Sequence, residues 1–518
     1  MAATGRKCLG DINALKTSEG SIRSSFSPFT HAYCAHGGQL FRPRLKHGLL
    51  KKDWNDSKCQ LHPLHKHRSR SSIRAGWFAP KRSVVPVGTE SWESKSEVAT
   101  TSQGEGDQQS TAQLNLTVSV ITDISKVSPE DWDACALEAA GEGARNPFLS
   151  HAFLLSLEES KSAVKEEGWL PQHVVARDDT GAVLGVVPMY LKGHSQGEYV
   201  FDHSWASAHH RYGVPYYPKL QSCVPFTPAT GPRLLVRHGP HSEVVSAGLC
   251  QAMVQLADTM GVSSLHCTFP VQRDWDTMGK QGFLRRVGVQ YHWLNRDYDS
   301  FDAFLMDFRS SKRASVRKER KKVREQNVKL LRLRGDDIKP IHWDAFYQFY
   351  RNTTDMKWGT PYLTRDFFHL LGERMADDVL LVMAEDDGEL VGGALNLIGG
   401  DTLFGRNWGC DGRRHYPNLH FEACYYQAIE AAIEMKLKRV EAGAQGEHKI
   451  QRGYLPTPTF SAHYIRDPNF RRAVSDFLRR EMAQMAMTME VLDEHSPFNA
   501  NVDVAKGSAA LIDTILGT

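Results

Sequence analysis

The chain has 518 residues, of which 41% are hydrophobic and 24% charged, a composition typical of a globular protein with more than one domain. Its longest aliphatic run, Val379 to Ala384, is far shorter than the ~20 apolar residues of a membrane-spanning helix, so a membrane-spanning protein is excluded. The nine cysteines form no CxxC pair, so neither a disulfide framework nor a zinc site is predicted, and a reducing compartment is favoured.

The net charge of +3 is unevenly distributed along the chain. Residues 1–88 contain 16 Lys and Arg against 4 Asp and Glu, and this basic, Ser-rich segment without a secretory apolar core is typical of an organelle transit peptide. The opening residues 1–4 and the run 68–74 favour a chloroplast, with a mitochondrion as the alternative. A disordered basic arm that binds nucleic acid is another interpretation. The polar residues 89–115 predict a flexible linker.

Two stretches about 200 residues apart share one pattern, which predicts an internal duplication. Residues 173–191 and 381–397 each contain an apolar run, a turn with two Asp residues and a Gly, and a second apolar run. This pattern is typical of a β-hairpin. Helical periodicity precedes both hairpins, at 148–157 and at 343–350.

The elements after each hairpin also follow one order. A helix-like run precedes a strand-like run in both copies, at 244–260 and 264–269 in the first and at 419–435 and 438–441 in the second. The sequence therefore predicts an α+β fold with two tandem modules. Their expected bounds are 116–300 for the first module, 301–480 for the second module with a basic entry helix, and 481–518 for a C-terminal tail with helical stretches.

The order helix–helix–hairpin–strand–helix–strand is that of the GNAT acyltransferase fold, and several sequence blocks strengthen the likeness. These blocks are FDHSWA at 201–206, YYPKLQ at 216–221, VPFTPATGPRL at 224–234, LHFEACYY at 419–426 and EAGAQGEHK at 441–449. The chain resembles the FemAB-like, twin-GNAT group of peptidoglycan biosynthesis/recognition proteins, in the acyl-CoA N-acyltransferase superfamily, over residues 118–482. The resemblance implies two tandem GNAT-like modules after a disordered N-terminal segment, and transfer of an acyl group to an amine.

Polar and ionisable side chains are concentrated after the strand predicted to end at Glu441. The segment contains Glu441, Gln445, Glu447, His448, Lys449, Gln451, Arg452, Tyr454 and His463. Such a density in a glycine-bearing loop is unusual for a simple connection. Removing a proton from an attacking ammonium, whose pKa is about 8–10, requires a base that titrates near neutrality. A catalytic site is therefore predicted here.

Within this segment we assign His448 as the base, with Glu447 or Glu441 as its orienting or alternative carboxylate. Tyr454 is expected to protonate a leaving thiolate or to stabilise an oxyanion. A nearby cation would neutralise a carboxylate or phosphate of the substrate. The substrate contacts are assigned to Lys449, Arg452 and Gln445. The alternative is that these side chains form loop ion pairs that fix the second module.

The helix predicted to begin at Leu419 carries His420 and Glu422, which we assign to substrate binding. In GNAT modules the equivalent helix start binds the pyrophosphate of coenzyme A. Asn418 is alternatively only an N-cap residue, with Glu422 as a nearby acid. Neither module has the Gln/Arg-x-x-Gly-x-Gly/Ala signature of coenzyme A loops. The likeness to Fem-type enzymes therefore favours aminoacyl-tRNA over acyl-CoA as donor, and no further cofactor or metal is predicted.

A basic stretch at 312–324 has eight positive residues and one negative residue. Because these charges surround most of a helix, at least one face must be solvated or bound to a polyanion. Fem-type transferases have a similar opening to their second module. Phosphate or nucleic-acid binding is assigned to Arg313, Arg317, Lys318, Lys321 and Lys322. The alternative is a solvated helix without a ligand.

The first module has its own mixture of aromatic and polar residues at 201–219, a composition suited to a ligand pocket. Acceptor binding is assigned to Asp202, His203, Tyr217 and Lys219, with a purely structural role as the alternative. The sequence as a whole predicts an organelle-imported enzyme that moves an acyl or aminoacyl group onto a small-molecule or peptide amine, with tRNA as partner if it carries the donor. The rival interpretation is a non-catalytic GNAT-fold protein that binds a glycan, a peptide or RNA.

Overall fold

The computed structural model describes residues 93–98, 114–356, 359–443 and 446–516. The transit peptide predicted at 1–88 lies outside these residues. Within the predicted linker the structure has a strand, Glu93–Val98, which pairs antiparallel with the strand Leu114–Ile121. That part of the predicted flexible linker is therefore a β-strand in the structure.

The strands of the described chain fall into two sheets. They are β1 (Glu93–Val98), β2 (Leu114–Ile121), β3 (Trp169–Pro171), β4 (His173–Arg177), β5 (Val183–Val187), β6 (Met189–Lys192), β7 (Lys219–Ser222), β8 (Leu235–Val236), β9 (Ser264–Thr268), β10 (Leu284–Leu294), β11 (Lys329–Leu333), β12 (Val379–Asp386), β13 (Glu389–Ile398), β14 (Thr402–Cys410), β15 (Arg439–Glu441) and β16 (Leu455–Ile465). The hairpins predicted from the duplicated pattern are confirmed as β4–β5 and β12–β13.

Helices connect and cover these strands. They are α1 (Pro129–Ala140), α2 (His151–Glu159), α3 (His203–Arg211), α4 (Ser242–Thr259), α5 (Gln272–Lys280), α6 (Phe301–Met306), α7 (Ser310–Arg324), α8 (Pro340–Met356), α9 (Arg365–Met375), α10 (Leu419–Phe421), α11 (Gln427–Glu434), α12 (Pro468–Glu494) and α13 (Gly507–Leu516). A π-helical turn, Glu422–Tyr426, joins α10 to α11. The two helical stretches predicted in the tail are confirmed, although α12 already begins at Pro468, before the expected tail.

Side chains at the helix N-termini explain where several helices begin. Ser128 accepts a hydrogen bond of 3.1 Å from the backbone N–H of Asp131 in the first turn of α1. Asp467 does the same for Phe470 at 2.8 Å in α12. Each such bond satisfies a backbone donor that the helix leaves unpaired, and is worth about 1 kcal/mol.

The fold is α+β with two tandem GNAT-like modules. In each half an antiparallel hairpin leads into a parallel strand pair, β7–β9 in the first and β14–β15 in the second. A parallel pair requires a crossover connection. The connections contain α4 in the first half and α10 to α11 in the second, which is the duplicated order expected from the sequence.

The two halves exchange strands within one large sheet. Its order is β11-β12-β13-β14-β15-β10-β16-β9-β7-β6-β3. β10, from the first half, pairs with β15 of the second half, while β16, from the second half, pairs with β9 of the first. The boundary predicted at residue 300 therefore separates the halves along the chain but not within the sheet.

An apolar core also joins the halves. Phe153 of α2 meets Phe367 of α9 with ring centroids 5.7 Å apart, and Phe148 meets Phe404 of β14 at 5.2 Å. All four rings are buried, and burial of each contributes about 1.5–3 kcal/mol. This packing fixes the position of the loops that meet between the halves. None of the helices in the described residues is both long and apolar enough to cross a bilayer.

Candidate functional site

The strands β14 and β15 run parallel for three residues and then diverge. Their last register pair is Phe404 with Glu441. Residues 223–234, which we call the bridging segment, connect β7 to β8 of the first half and reach this point of divergence. A narrow crevice results, the Glu441 crevice, which is lined by Pro228, Ala229, Phe404, Gly405, Arg406, Glu441 and Gly443. Both halves therefore contribute to its walls.

Glu441 is the ionisable acid of this crevice. Its side chain is buried, and its Oε2 accepts a long hydrogen bond of 3.4 Å from the backbone N–H of Thr230. The Nε2 atom of His292 lies 3.9 Å from the same oxygen, but burial lowers the pKa of His292 to about 3, so this ring is neutral near pH 7. Burial raises the pKa of Glu441 to about 7. This carboxyl group can therefore both accept and release a proton near neutrality.

Residues 229–232, the second part of the bridging segment, are held in place by the buried side chain of Arg233. The guanidinium donates to four backbone carbonyls, those of Ala229, Gly231, Pro232 and Thr268. Asn146 donates a further bond of 3.1 Å to the carbonyl of Thr230. These bonds position the Thr230 N–H against Glu441, so the acid has a preformed partner from the other half.

Arg406 is a residue of the site that sequence reasoning missed. It lines the Glu441 crevice and also a second, mostly apolar crevice nearby. Its Nη2 donates to the carbonyl of Phe226 and, at 3.1 Å, to Oγ1 of Thr227. The guanidinium carbon lies 5.4 Å from the ring centroid of Phe148. In the sequence, the signal that could have identified Arg406 is a charged residue that directly follows the apolar residues at the start of β14.

His448, in the turn that follows β15 along the chain, belongs to an aromatic cluster. Its ring lies 5.7 Å from Phe421 and 6.4 Å from His420 by centroids, and its Nε2 lies 3.0 Å from the hydroxyl of Tyr425. The residue as a whole is exposed, but the cluster partly removes water from its ring, and this desolvation together with the cations of Arg452 and Lys449 lowers the pKa of His448 to about 4. The imidazole is therefore neutral at pH 7 and a weak base. Its hydrogen-bond partner is a tyrosine, where the sequence analysis expected a carboxylate.

The other residues assigned to this segment have diverse environments. Glu447 is exposed, and Gln445 lies outside the described residues. Lys449 is buried and donates to the carbonyl of Gly443 at 3.1 Å, and burial lowers its pKa to about 8. Lys449 thus supports the turn that carries the Glu441 crevice.

Tyr454 and the two terminal nitrogens of Arg452 have hydrogen-bond partners within the protein, whereas Nε of Arg452 is buried without one. The buried guanidinium of Arg452 donates to Glu319 of α7 at 2.8 Å and to the carbonyl of His448 at 2.7 Å. Tyr454 is fully buried, and its hydroxyl donates to the carbonyl of Tyr425 at 3.2 Å. Burial holds the pKa of Tyr454 well above its usual range. This phenol is therefore enclosed in the core, where a substrate does not reach it.

The start of the second-module helix is likewise built for structure. Asn418 occupies the N-cap position of this helix, as the alternative interpretation expected, but it adopts a left-handed conformation (φ 67°) and its side chain makes no cap hydrogen bond. Glu422 is buried and accepts a hydrogen bond of 2.9 Å from the guanidinium of Arg320. Its negative charge is therefore balanced by a cation within the protein. His420 packs against Trp408 with centroids 5.4 Å apart and joins the aromatic cluster of His448.

In the first module, Asp202 and Lys219 form a buried ion pair, and Lys219 also donates to Glu198 at 2.7 Å. Burial disfavours the charge of Asp202, but the adjacent ammonium outweighs it and holds the pKa of Asp202 well below its usual range. Tyr217 is half-buried, with its hydroxyl 2.8 Å from Oγ of Ser195. His203, the fourth predicted acceptor residue, is exposed beside Phe201. The predicted acceptor site is therefore largely an internal ion pair.

The basic helix α7 has two distinct faces. Its inner face buries Val316 and Val323, and Arg320 pairs there with acids of the π-helical turn and α11. The residues assigned to phosphate contacts lie elsewhere on the helix. Arg317, Lys318, Lys321 and Lys322 are exposed, and Arg313 is half-buried. An exposed cationic face is therefore present.

No group of three or more His, Cys, Asp or Glu side chains in the described ranges is arranged to hold a metal ion. The expectation that no metal is needed stays a prediction.

The FemAB-like family model, described as peptidoglycan biosynthesis/recognition, matches residues 123–500. Among solved structures, the crystal structure of FemX is 11% identical with a TM-score of 0.42, over 67% of this chain and 98% of that chain. A tandem GNAT protein from the clavulanic acid biosynthesis pathway is 12% identical with a TM-score of 0.40, over 68% and 99%. L-PGS from Bacillus licheniformis is 10% identical with a TM-score of 0.40, over 65% and 97%.

No curated protein matches the chain. At these identities and TM-scores, the likeness to solved structures carries no argument about substrate or mechanism. The family match, by contrast, spans both halves and the exchanged strands. The chain belongs to the FemAB-like family.

Proposed function

We propose that the protein is an N-acyltransferase that moves an acyl or aminoacyl group onto an amine acceptor, with Glu441 as the base. Membership of the FemAB-like family supports this class of reaction. The observation that carries the assignment is the buried carboxyl group of Glu441, with its pKa raised to about 7, at the end of β15 in a crevice built by both halves.

The proposed chemistry follows from the proton that must be removed. An amine acceptor is bound mainly as an ammonium, whose pKa is about 8–10, and only the neutral amine attacks an acyl carbon. In the proposed step, Glu441 takes the proton. The nitrogen then forms a bond to the acyl carbon, and the bond from that carbon to the donor oxygen or sulfur breaks. The proton on Glu441 then passes to the leaving oxygen or sulfur, and the second proton, which the newly bonded nitrogen must lose to become an amide, goes to solvent.

His448 is the weaker candidate for this role. A general base acts best when its pKa lies near the working pH, and the pKa of His448 is lowered to about 4. Its Nε2 is also engaged with Tyr425 at 3.0 Å. We therefore assign His448 to the lining of the neighbouring aromatic cluster, where it orders Tyr425, Phe421 and His420.

The donor is proposed to be aminoacyl-tRNA or acyl-CoA. The exposed cationic face of α7 favours the tRNA, since contacts with phosphates release counterions and give salt-dependent binding. The same face supports the second candidate function, a protein that binds RNA without catalysis. Import into a chloroplast also stays a prediction.

The test compares wild-type protein with Glu441→Gln in a transfer assay. Full-length protein is incubated with labelled aminoacyl-tRNA or acyl-CoA pools and a mixed amine library. Loss of the base is expected to reduce turnover by about 10²–10⁴-fold. The control is Glu434→Gln, an exposed acid in a surface ion pair with Arg332, which is expected to keep full turnover. Absence of transfer by the wild type, together with salt-dependent tRNA binding, would favour the binding protein.

A further inference from the structure

Arg406 differs from the other arginines that lie inside the fold. Arg320 and Arg452 pair with carboxylates, and Arg233 donates four hydrogen bonds to backbone carbonyls. For Arg406, the hydrogen bonds recorded among the described residues come from Nη2 alone. Its Nε and Nη1 atoms, which carry three of the five N–H donors of an arginine, have no acceptor there.

The electrostatic surroundings of Arg406 also lack an acid. The groups that favour its charge are the hydroxyls of Tyr199 and Tyr350, and no carboxylate within the described ranges forms an ion pair with it. A largely enclosed cation without a counter-charge is costly unless an anion approaches it. The two crevices both contain Arg406, so an anion can approach from that side.

The second crevice defines what else such a ligand must carry. We call it the apolar crevice; apart from Thr227, Arg406 and Asn407, its walls are apolar. The principal residues are Phe148, Phe153, Leu157, Phe367, Leu395 and Leu397. A ligand with its apolar group in this crevice would have its polar end at Arg406. Arg406 also lines the Glu441 crevice, so the next atoms of the ligand would lie there. The lining residues therefore favour a ligand that carries, in this order, an apolar group, an anionic group and the reacting atom.

We propose that Arg406 binds a carboxylate or phosphate of an amphipathic substrate whose apolar part lies in the apolar crevice. The proposal rests on the proposed function for calling this molecule a substrate, because its reacting atom would face Glu441. Neither crevice has room for more than about one water molecule in this conformation, so binding requires residues 225–227, the part of the bridging segment that Arg233 does not hold, to move outward. The contact that would open is the stack of Phe226 on Tyr362, with centroids 5.2 Å apart and planes at 6°.

The test uses three small probes with full-length protein: phenylacetate, phenyl phosphate and the neutral phenylacetamide. Binding is measured by calorimetry and by the shift of the unfolding midpoint. We expect at least one anionic probe to bind tenfold or more tightly than the amide. The stronger of the two anions identifies whether a carboxylate or a phosphate fits the site. Equal binding of the amide and both anions by wild-type protein would overturn the proposal without any variant.

Variants locate the charge. In Arg406→Gln the preference for the anion is expected to fall about tenfold, while Arg406→Lys keeps part of it. Arg332→Gln, in an exposed ion pair, is the matched control and is expected to keep all of it. If Arg406→Gln does not fold, because Nη2 also holds Phe226 and Thr227, the Lys variant and the wild-type probes decide. An unchanged preference in a folded Gln variant would refute the assignment.

The failure of this proposal can be told from failure of the proposed function. Glu441→Gln is expected to lose turnover but to keep anion binding. If that variant retains turnover while the anion preference depends on Arg406, the assignment of the base is wrong and the anion site stands. If the anion preference is missing while Glu441→Gln loses turnover, the anion site fails alone.

Discussion

Two of the buried carboxyl groups, Asp202 in the first half and Glu441 in the second, have opposite properties. Asp202 in the first half contacts the ammonium of Lys219, which holds its pKa far below the usual range. Glu441 in the second half has a neutral imidazole and a backbone N–H as nearest partners, and its pKa rises to about 7. Burial acts on both in the same direction. The difference is the paired cation, which makes Asp202 a fixed structural charge and leaves Glu441 able to exchange a proton.

The largest expected effect comes from removing the cation of the paired acid. Lys219→Met would leave the charge of Asp202 buried without its partner, and we expect the free energy of unfolding at pH 7 to fall by about 3–5 kcal/mol. Urea denaturation measures the change. Lys280→Met, at an exposed end of α5, is the control. A loss as small as that of the control would show that the pair does not stabilise the fold.

The second prediction concerns the pH dependence of stability, which should distinguish the two acids. The pKa of Glu441 is raised from 4.5 in the unfolded chain to about 7, so its contribution is present below pH 4.5 and lost as the pH rises through 7. Relative to wild type, Glu441→Gln should therefore gain up to about 3 kcal/mol between pH 5 and pH 8. Urea unfolding at both pH values measures this gain. A difference between the two proteins that does not change with pH would contradict the raised pKa.

For Asp202 the sign is reversed. Its pKa is lowered in the folded state, so its contribution is present above the unfolded value and is lost as the pH falls below it. Between pH 5 and pH 8 an Asp202→Asn variant should therefore show a constant deficit relative to wild type. Unfolding curves at the same two pH values provide the comparison. A deficit that shrinks as the pH rises from 5 to 8 would mean that Asp202 behaves like Glu441.

A smaller effect is expected for the aromatic cluster. Tyr425→Phe removes the hydroxyl that lies 3.0 Å from Nε2 of His448, which should cost about 0.5–1.5 kcal/mol of unfolding free energy. Turnover should fall less than tenfold in this variant and in His448→Ala, because neither residue is the proposed base. If His448→Ala loses turnover as completely as Glu441→Gln, the base has been assigned to the wrong residue.

The smallest effect on stability is expected at the exposed face of α7. Changing Lys318, Lys321 and Lys322 together to Gln should alter the unfolding free energy by no more than about 0.5 kcal/mol per site. If tRNA carries the donor, its affinity should fall and depend less steeply on salt, by a slope of about 0.7–0.9 per lost contact. If the slope of log affinity against log salt concentration is unchanged in a filter-binding series, these lysines do not contact tRNA.

Local patterns were sufficient to predict much of the fold. The Asp-Asp turns at 178–181 and 386–388 predicted both hairpins, and the helices α4 and α11 follow the predicted periodicity. The exchange of β10 and β16 could not be read in this way, because no local signal states which half a strand will pair with. Pairing of strands far apart in sequence depends on the packed whole.

The same limit applies to the site. Glu441 was named from its place after a strand, but Thr230, His292 and Arg406 are its neighbours or share its crevice only through the fold. Conversely, Tyr454 was assigned chemistry because it lies in a charged segment, yet its side chain points into the core. Composition identifies where ionisable groups are dense, whereas burial decides which of them can react.

The most direct test of Glu441 as the base is the pH dependence of kcat at saturating acceptor. We expect kcat to rise with pH through an apparent pKa of about 7, and we expect this rise to disappear in Glu441→Gln and to remain in His448→Ala. A rise near pH 4 that disappears with His448, or a profile that is the same in wild type and Glu441→Gln, would contradict this assignment.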